Sequence, residues 1–339
     1  MGKIIVTGGA GYIGSHTVLG LLNAGYDVVV IDNLKRGYEE SIRRVETLTG
    51  KRIDLEKMSL DNVEGLNQVL TKNNDASCVV HFAAYKNVGE AEKNPDMYFG
   101  NNVIGSLNLL NAMKANNIKS IVFSSTSAVY GDSLVLPMHE NLPIQPKNAY
   151  GQSKATVEWM IQDYVKAYGM SGIALRYFNA AGADESGQIG EDPRLSGNVI
   201  PLIMQTLVGK REEFVLYGDE FPTQDGTQER DYIHVMDLAS GHVAAVERLS
   251  HTQGYSVYNL GTGVAISNKK LIEISENVSG NKLNYRSDAP REGDPVITVS
   301  DPSLALAELN WKAKYDIYKI VEDQWRWVKM NPNGYETAV

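Results

Sequence analysis

Short apolar segments alternate with amphipathic segments along the first half of the chain. The apolar segments are rich in β-branched residues, as buried strands are, and they read "KIIVTG", "DVVVID", "CVVHFAA", "SIVFSS" and "SGIALRYFN". Helical patterns lie between them, over about 12–23, over "LNQVLTK", over about 96–115 and from Tyr150 onward. This βαβ alternation predicts an α/β fold, a Rossmann-type doubly wound parallel sheet with helices on both faces.

The pattern loosens after residue 179. Residues 180–198 are rich in Gly, Asp and Pro, which is typical of a loop that crosses to a second region. Residues 233–249 have the pattern of an amphipathic helix and 255–263 that of a strand with a turn, and we expect both to return to the first sheet. The predicted domains are therefore a Rossmann domain of 1–180 plus about 231–262, and a smaller α/β C-terminal domain of 181–230 and 263–339.

Composition narrows the classes of function. The 339 residues are 43% hydrophobic and 22% charged, which is enough for a substantial core. A net charge of -9 without a cluster of Lys and Arg argues against a nucleic acid partner. No apolar run approaches the roughly 20 residues that cross a bilayer, and the first strand begins where a signal peptide would lie. We therefore expect a cytoplasmic protein without a membrane partner.

The cysteine and histidine residues do not suggest redox or metal chemistry. Cys78 is the one cysteine, and its apolar surroundings predict a buried thiol. Of the six histidines, His234 and His242 are eight apart on one predicted helix and the others are scattered. This spacing does not match a metal site, so we expect no metal.

The segment "TGGAGYIGSH" connects the first strand to the first helix and places Gly8, Gly11 and Gly14 three residues apart. Glycines allow a tight turn, a close approach of the backbone to a pyrophosphate, and packing of helix on strand. The N-terminus of the following helix then faces the phosphates. The second strand ends in Asp32, near the position of the acid that accepts hydrogen bonds from an adenosine ribose. Because a carboxylate there would repel a 2′-phosphate, we expect NAD rather than NADP.

The segment "NAYGQSK" opens a helix in which Tyr150 and Lys154 are one turn apart, so the ammonium lies beside the phenol. Taken alone, such a pair is usually a solvated surface feature. Together with the glycine spacing and Thr126 in "SSTSAVYG", it resembles the extended short-chain dehydrogenase/reductase superfamily.

Further segments resemble one family within that superfamily, the UDP-galactose 4-epimerase (UDP-glucose 4-epimerase) family. They are "VTGGAGYIGSHTV", "HFAAYKNVGEAEKNPDMYFGNNV", "LRYFNAAGA", "PTQDGTQERDYIHVMDLASGHV" and "REGD" followed by "ELNW". The resemblance extends over nearly the whole chain, in the same order and at similar spacing. It implies an isomerase of galactose metabolism (EC 5.1.3.2) that interconverts UDP-galactose and UDP-glucose through a 4-keto intermediate, with NAD bound throughout.

The resemblance also implies catalytic roles. Tyr150 is the acid/base, Thr126 hydrogen-bonds the reacting oxygen, and Lys154 binds the nicotinamide ribose. A free phenol has a pKa near 10, and we expect the positive charges of Lys154 and the oxidised nicotinamide to lower the pKa of Tyr150.

Binding residues follow from the same resemblance, position by position. The implied cofactor-binding residues are Gly8, Gly11, Tyr12, Ile13, Gly14, Asp32, Asn33, Ser59, Leu60, Phe82, Ala83, Ala84, Lys86, Asn101, Ser124, Tyr150, Lys154 and Tyr177. The implied residues for the UDP-hexose are Lys86, Thr126, Tyr150, Asn179, Asn198, Val199, Leu216, Tyr217, Arg230, Arg291, Asp294 and Thr298. Arg230 and Arg291 would neutralise the diphosphate through bidentate hydrogen bonds.

The chain departs from the family pattern at three positions. Ser59 stands where relatives carry the Asp that binds adenine, so either Asp61 or the Ser59 hydroxyl takes that role. Ala84 replaces the usual Gly. Thr298 occupies a position that is Tyr or a small residue in relatives, and a small residue implies that N-acetylated UDP-hexoses are also substrates.

Alternatives remain at this stage. A UDP-glucuronate or UDP-pentose 4-epimerase is open, because the residues around C6 cannot be identified from sequence. A 4,6-dehydratase is less favoured, since Ser127 and Ala128 follow Thr126 where such enzymes carry an acidic pair. A non-catalytic nucleotide sensor would be expected to lack Tyr150 or Lys154. The resemblance further implies a homodimer, paired through the helices that begin near Asp96 and Tyr150.

Overall fold

The computed structural model of the protein describes residues 2–194, 197–291 and 295–336. The strands are β1 Lys3–Thr7, β2 Asp27–Asp32, β3 Asp54–Lys57, β4 Ala76–His81, β5 Ser120–Thr126, β6 Ser171–Tyr177, β7 Asn179–Ala181, β8 Phe214–Tyr217, β9 Glu229–His234, β10 Gly254–Leu260, β11 Ala265–Ser267, β12 Tyr285–Asp288 and β13 Ile297–Thr298. The helices are α1 Tyr12–Asn23, α2 Glu39–Thr49, α3 Val63–Lys72, α4 Val88–Lys93, α5 Pro95–Tyr98, α6 Gly105–Ala115, α7 Ala149–Tyr168, α8 Val199–Leu207, α9 Val235–Leu249, α10 Asn268–Ser279, α11 Ser303–Leu309 and α12 Ile317–Met330.

The larger sheet is parallel, with its described strands in the order β10-β6-β5-β4-β1-β2-β3. Side chains alternate between its faces: Ile4 and Val6 of β1 pack with α1 and α9, whereas Ile5 packs with α3, α6 and α7. From β1, the chain first adds β2 and β3 on one side and then β4, β5 and β6 on the other side. The boundary between β1 and β4 is therefore the switch point, at which such folds bind ligands. This confirms the predicted α/β fold of the Rossmann type.

The second lobe is built around β9. This strand pairs with β7 and β13 in parallel and with β11 antiparallel, and β8 pairs with β12. Helices α8, α10 and α12 cover it and bury a core that includes Met204, Leu271 and Trp327. α9 packs on α1, and β10 joins the larger sheet beside β6. The division of the chain into two domains with the stated boundaries stays a prediction.

The helix expected over about 96–115 is interrupted. A π-helical segment, Phe99–Ile104, separates α5 from α6, and such segments often mark functional sites. Asn102 of this segment is buried, accepts a hydrogen bond from the Tyr85 N–H, and donates to the Tyr85 carbonyl and to Ser153 Oγ of α7. These bonds connect the loop after β4 to α7.

Three further sequence expectations concern burial, metals and membranes. Cys78 is buried, and burial raises the pKa of its thiol to about 12. Across the described ranges, no group of three or more His, Cys, Asp or Glu side chains is arranged to hold a metal ion. None of the helices in those ranges is long and apolar enough to cross a membrane. The cytoplasmic location stays a prediction.

Candidate active site

A cleft of about 1420 Å³ lies at the carboxyl ends of the larger sheet, against the second lobe. Its walls come from the loop after β1, the ends of β2, β4 and β5, the start of α7, and β9 and β13 of the second lobe. The cleft therefore occupies the switch point of the sheet, where a dinucleotide would be expected.

The glycine loop forms the floor of this cleft. Gly8 has a φ of +73°, and a Cβ there would lie 2.6 Å from the Ala83 backbone nitrogen. A Cβ at Gly14 would lie 2.2 Å from the Gly8 carbonyl oxygen, so the start of α1 approaches the loop closely. No described side chain caps α1 at Gly11, which leaves its first N–H groups available to an anion.

Asp32 ends β2 at the edge of the cleft. Its buried carboxylate accepts hydrogen bonds from the Leu34 N–H at 2.8 Å and the Ala10 N–H at 3.0 Å. Burial raises its pKa, and the two hydrogen bonds oppose that effect. The carboxylate is thus held in place beside the glycine loop, where it fits the ribose hydroxyls of an adenosine. The loop and Asp32 together fit the dinucleotide that the sequence predicts.

Tyr150 and Lys154 are positioned by the start of α7. Asn148 Oδ1 accepts a hydrogen bond from the Gly151 N–H at 2.9 Å, which begins the helix at Ala149. Tyr150 shares a hydrogen bond with Thr126, the last residue of β5. One turn later, Lys154 is 3% exposed.

Lys154 is connected to β5 and, through it, to β6. Its Nζ donates to the Ser124 carbonyl at 2.8 Å. The Ser124 hydroxyl lies 2.5 Å from the Tyr177 hydroxyl at the end of β6. Polar groups from α7, β5 and β6 therefore meet at one corner of the cleft.

Burial controls the ionisation of this corner. It raises the pKa of Tyr150 to about 12, although the Thr126 hydrogen bond acts in the opposite direction. It also lowers the pKa of Lys154 to about 7, against the charge of Glu158. In the protein without cofactor, withdrawal from water disfavours both charged forms. The expectation that Lys154 and the oxidised nicotinamide together lower the pKa of Tyr150 stays a prediction.

Polar side chains of the second lobe face this corner. Asn179 Nδ2 donates to the Asp231 carbonyl at 3.1 Å. Arg230 donates to the carbonyls of Pro295 and Val296 at 2.7 and 3.2 Å. The Arg291 guanidinium lies 5.0 Å from the ring centroid of Tyr217. Both arginines thus bring positive charge to the cleft wall.

Most residues predicted for the site line the cleft. They are Gly8, Gly11, Tyr12, Ile13, Gly14, Asp32, Asn33, Ser59, Leu60, Phe82, Ala83, Ala84, Lys86, Asn101, Ser124, Thr126, Tyr150, Lys154, Tyr177, Asn179, Asn198, Val199, Arg230, Arg291 and Thr298. Asp61 also lines it, so the choice between Ser59 and Asp61 for adenine stays open. Leu216 is instead buried in the second-lobe core, and Tyr217 is 37% exposed beneath Arg291. Asp294 lies outside the described residues.

Glu191 is a cleft residue that the sequence did not reveal. It is 4% exposed, and its Oε1 accepts hydrogen bonds from Lys86 Nζ at 2.8 Å and Asn198 Nδ2 at 3.4 Å. Glu191 lies in the loop-like stretch 180–198, where a single acid has no periodic pattern to mark it. Lys86, which the family resemblance places at both the cofactor and the UDP-hexose, is therefore paired with this carboxylate.

The glycine loop, Asp32 and the pair of half-buried Tyr150 and buried Lys154 define a nucleotide-binding protein of the dehydrogenase/reductase type. The model of the NAD dependent epimerase/dehydratase family matches residues 4–261, and the chain belongs to this family. The UDP-glucose 4-epimerase of Mus musculus is 45% identical to it over 344 residues, which cover 99% of each chain.

Solved structures agree with this assignment. The UDP-glucose 4-epimerase of Bifidobacterium longum, in complex with NAD+ and UDP, is 40% identical with a TM-score of 0.94, and the match covers 98% of this chain and 99% of that one. The enzyme of Stenotrophomonas maltophila, with bound NAD and formylated UDP-arabinopyranose, is 36% identical with a TM-score of 0.95 and the same coverage. The family resemblance seen in the sequence and the predicted cofactor NAD are thus confirmed.

The close contact at Gly14 leads to a prediction. Gly14→Ala places a methyl group against the Gly8 carbonyl, and we expect the free energy of unfolding to fall by about 1–3 kcal/mol, as for other overpacked sites. NAD binding should weaken with it, because the loop must shift. Chemical denaturation and NAD titration measure the two effects.

Gly20→Ala is the matched control on the same helix. A Cβ there meets Val243 at 3.5 Å, an ordinary contact, so stability should be unchanged or slightly higher. Equal stability of the two variants would contradict the proposed role of Gly14.

Proposed function

We propose that the protein interconverts UDP-galactose and UDP-glucose by inverting C4 of the hexose (EC 5.1.3.2). The observation that carries the proposal is the buried corner where Tyr150, Thr126 and Lys154 meet beside a dinucleotide cleft. The UDP-glucose 4-epimerases described above, similar over nearly the full chain, support the substrate and the reaction.

In the proposed reaction, Tyr150 Oη removes the proton of the C4 hydroxyl. NAD, which the glycine loop and Asp32 would hold, would supply the acceptor and then the donor of the C4 hydride, and its oxidised ring would add positive charge beside Tyr150. Thr126 donates a hydrogen bond to the reacting oxygen, and Tyr150 gives the proton back after the ketone has turned over. The cycle has no net oxidation, so the protein consumes no cofactor.

The second lobe would hold the UDP part while the sugar rotates. Arg230 and Arg291 offer charge for the diphosphate, and Asn179 and Asn198 offer amides beside it. Strong contacts to the nucleotide and weak contacts to the hexose keep the ketone at high effective concentration without fixing one of its faces.

The direct test adds UDP-galactose to purified protein without external NAD and follows the appearance of UDP-glucose. We expect turnover from the cofactor that copurifies, and external NAD should not be reduced. Stoichiometric consumption of external NAD with an oxidised sugar product would contradict the proposal. Product analysis with UDP-glucuronate and UDP-pentoses tests the alternative substrates.

Tyr150→Phe should lower the rate by roughly 10²- to 10⁴-fold, the usual contribution of an acid/base group, yet keep bound NAD. Tyr168→Phe is the matched control, because this tyrosine lies at the far end of α7 and is 44% exposed. Wild-type turnover by Tyr150→Phe would contradict the assignment.

A dehydratase reaction is disfavoured at the same corner. Ser127 and Ala128 follow Thr126 in a 3₁₀ turn and line the cleft. Neither side chain can supply the acid and base that elimination of water across C5 and C6 needs. This supports epimerisation over 4,6-dehydration.

Thr298 supports a wider sugar range. It ends β13, pairs with Arg230 of β9, and lines the cleft with a small, half-buried side chain. A small residue at this wall leaves room for an N-acetyl group, so UDP-GlcNAc and UDP-GalNAc are included as substrates.

We expect Thr298→Tyr to reduce kcat/KM for the N-acetylated pair far more than for UDP-glucose and UDP-galactose, because the larger ring fills that room. Thr298→Ser, which stays small, is the control and should accept both pairs. Coupled assays with each sugar nucleotide measure the ratio. No turnover of the N-acetylated pair by the unchanged protein would contradict the wider range.

A homodimer formed through α6 and α7 completes the proposal. These helices pack on each other and carry exposed apolar side chains, among them Ile104 just before α6, at 52% exposure, and Trp159 on α7, at 49%. Large apolar side chains grouped on one surface are typical of a subunit interface.

The double variant Ile104→Glu/Trp159→Glu should be monomeric at micromolar concentration, since it places charge in the apolar contact. Sedimentation equilibrium measures the mass. Leu306→Glu on α11 is the control, because Leu306 is also half exposed but lies away from these helices. A dimer of unchanged affinity in the double variant would contradict this interface.

A further inference from the structure

Glu158 is a buried carboxylate beside the catalytic corner. It follows Lys154 by one turn of α7 and Tyr150 by two turns, so the three side chains share a helix face. Glu158 is 0% exposed. A buried charge is costly unless it is paired and hydrogen-bonded, so its partners indicate what it does.

Arg176 of β6 fixes the orientation of this carboxylate. Its Nη2 donates to Glu158 Oε2 at 2.6 Å and its Nε to Oε1 at 3.0 Å, a bidentate pair. The Arg176 guanidinium also lies 4.9 Å from the ring centroid of Tyr130. Tyr255 adds a long hydrogen bond of 3.5 Å to Oε2. The carboxylate therefore has little freedom to move.

Ser125 connects Glu158 to the catalytic strand. Its hydroxyl donates to Glu158 Oε1 at 2.5 Å. Ser125 stands between Ser124, whose carbonyl accepts the hydrogen bond of Lys154, and Thr126, which bonds Tyr150. Glu158 thus holds the end of β5 in register with α7, although it touches neither the cofactor site nor the sugar site.

Glu158 also acts on Lys154 through its charge. Burial draws the pKa of Lys154 down to about 7, and the Glu158 charge opposes that shift. The other titratable or charged groups around the two residues are Tyr150 on α7, His81 on β4, Arg176 and Tyr177 on β6, and Tyr255 on β10.

Those other groups keep one protonation state near neutral pH. Burial lowers the pKa of His81 to about 3 and raises the pKa of Tyr150 to about 12. Burial likewise raises the pKa values of Tyr177 and Tyr255. The partner Glu158 raises the pKa of Arg176 still further above neutrality. Lys154, whose pKa is about 7, is therefore the group of this set with the pKa nearest to neutral pH.

We propose that Glu158, held by Arg176, is a positioning residue that fixes the end of β5 that carries Ser124 and Thr126 and favours the ammonium form of Lys154. The inference rests on the proposed epimerase reaction, in which the Lys154 ammonium and the oxidised nicotinamide together favour the Tyr150 phenolate. Because Glu158 favours the ammonium, the active form of Lys154 persists to higher pH, and activity is lost as pH rises through that pKa.

The test compares Glu158→Gln with the double variant Glu158→Gln/Arg176→Met. The double variant removes the guanidinium that the single variant leaves unpaired, so it is expected to fold better. In Glu158→Gln, the alkaline limb of the kcat against pH profile should move to lower pH by about one unit, the size expected when a nearby opposite charge is lost. In the double variant the loss of the Arg176 cation offsets part of that effect, so the limb should move in the same direction but less. Thermal unfolding, measured in parallel, separates stability from activity.

Asp323→Asn is the control for loss of a buried carboxylate. Asp323 is 1% exposed and pairs with His234, Lys319 and Arg326 in the second lobe, away from the cleft. This variant should lose stability without a shift of the alkaline limb. A folded Glu158→Gln variant with the wild-type profile would overturn the inference.

A direct titration keeps this test separate from that of the proposed function. The ¹⁵N resonance of the Lys154 ammonium, assigned with Lys154→Met, reports its pKa whether or not the protein turns over a sugar. An inactive wild-type protein would refute the epimerase reaction, whereas an unchanged Lys154 titration in Glu158→Gln would refute the role of Glu158. A titration shifted to lower pH supports that role.

Discussion

Burial of the Lys154 ammonium is the constraint on which the catalytic corner depends. A cation withdrawn from water must be hydrogen-bonded and balanced by charge, or it loses its proton. The Ser124 carbonyl accepts a hydrogen bond from Lys154, and Glu158 contributes a balancing negative charge. The hydrogen bonds of Lys154 and Glu158 connect α7 to β5 and β6. The contacts that accommodate Lys154 also bring Tyr150 to Thr126. The position of the Tyr150 phenol therefore depends on how Lys154 is held.

The larger sheet supplies the other half of the site. A cleft opens above β1 because the connections after β1 and β4 lead to opposite sides of the sheet. The floor of this cleft is backbone, because the glycine loop has no side chains that would fill it. Asp32 at the end of β2 closes one side of the cleft with a fixed carboxylate. The predicted cofactor site is thus mostly backbone and one acid, whereas the proposed reacting corner is made of side chains from separate elements.

The second lobe brings residues distant in sequence to the opposite wall. β9 carries Arg230, and its neighbour β13 carries Thr298. Asp231, buried beside Arg230, accepts hydrogen bonds from the backbone of Thr262, Gly263 and Ser300. One carboxylate therefore binds the segment that follows β10 of the larger sheet and the segment that follows β13 of the second lobe, and it fixes the β9–β13 wall of the cleft relative to the sheet.

Local patterns in the sequence determined the alternating strands and helices, the glycine loop with Asp32, and the one-turn spacing of Tyr150 and Lys154, because each depends on neighbours along the chain. Contacts between distant residues were decided by the tertiary structure alone. Glu191 meets Lys86 across 105 positions, Leu216 turns into a core, and a π-helical segment interrupts a helix expected to be continuous. Burial likewise exists only in the folded chain, and in the protein without cofactor it raises the pKa of Tyr150 to about 12.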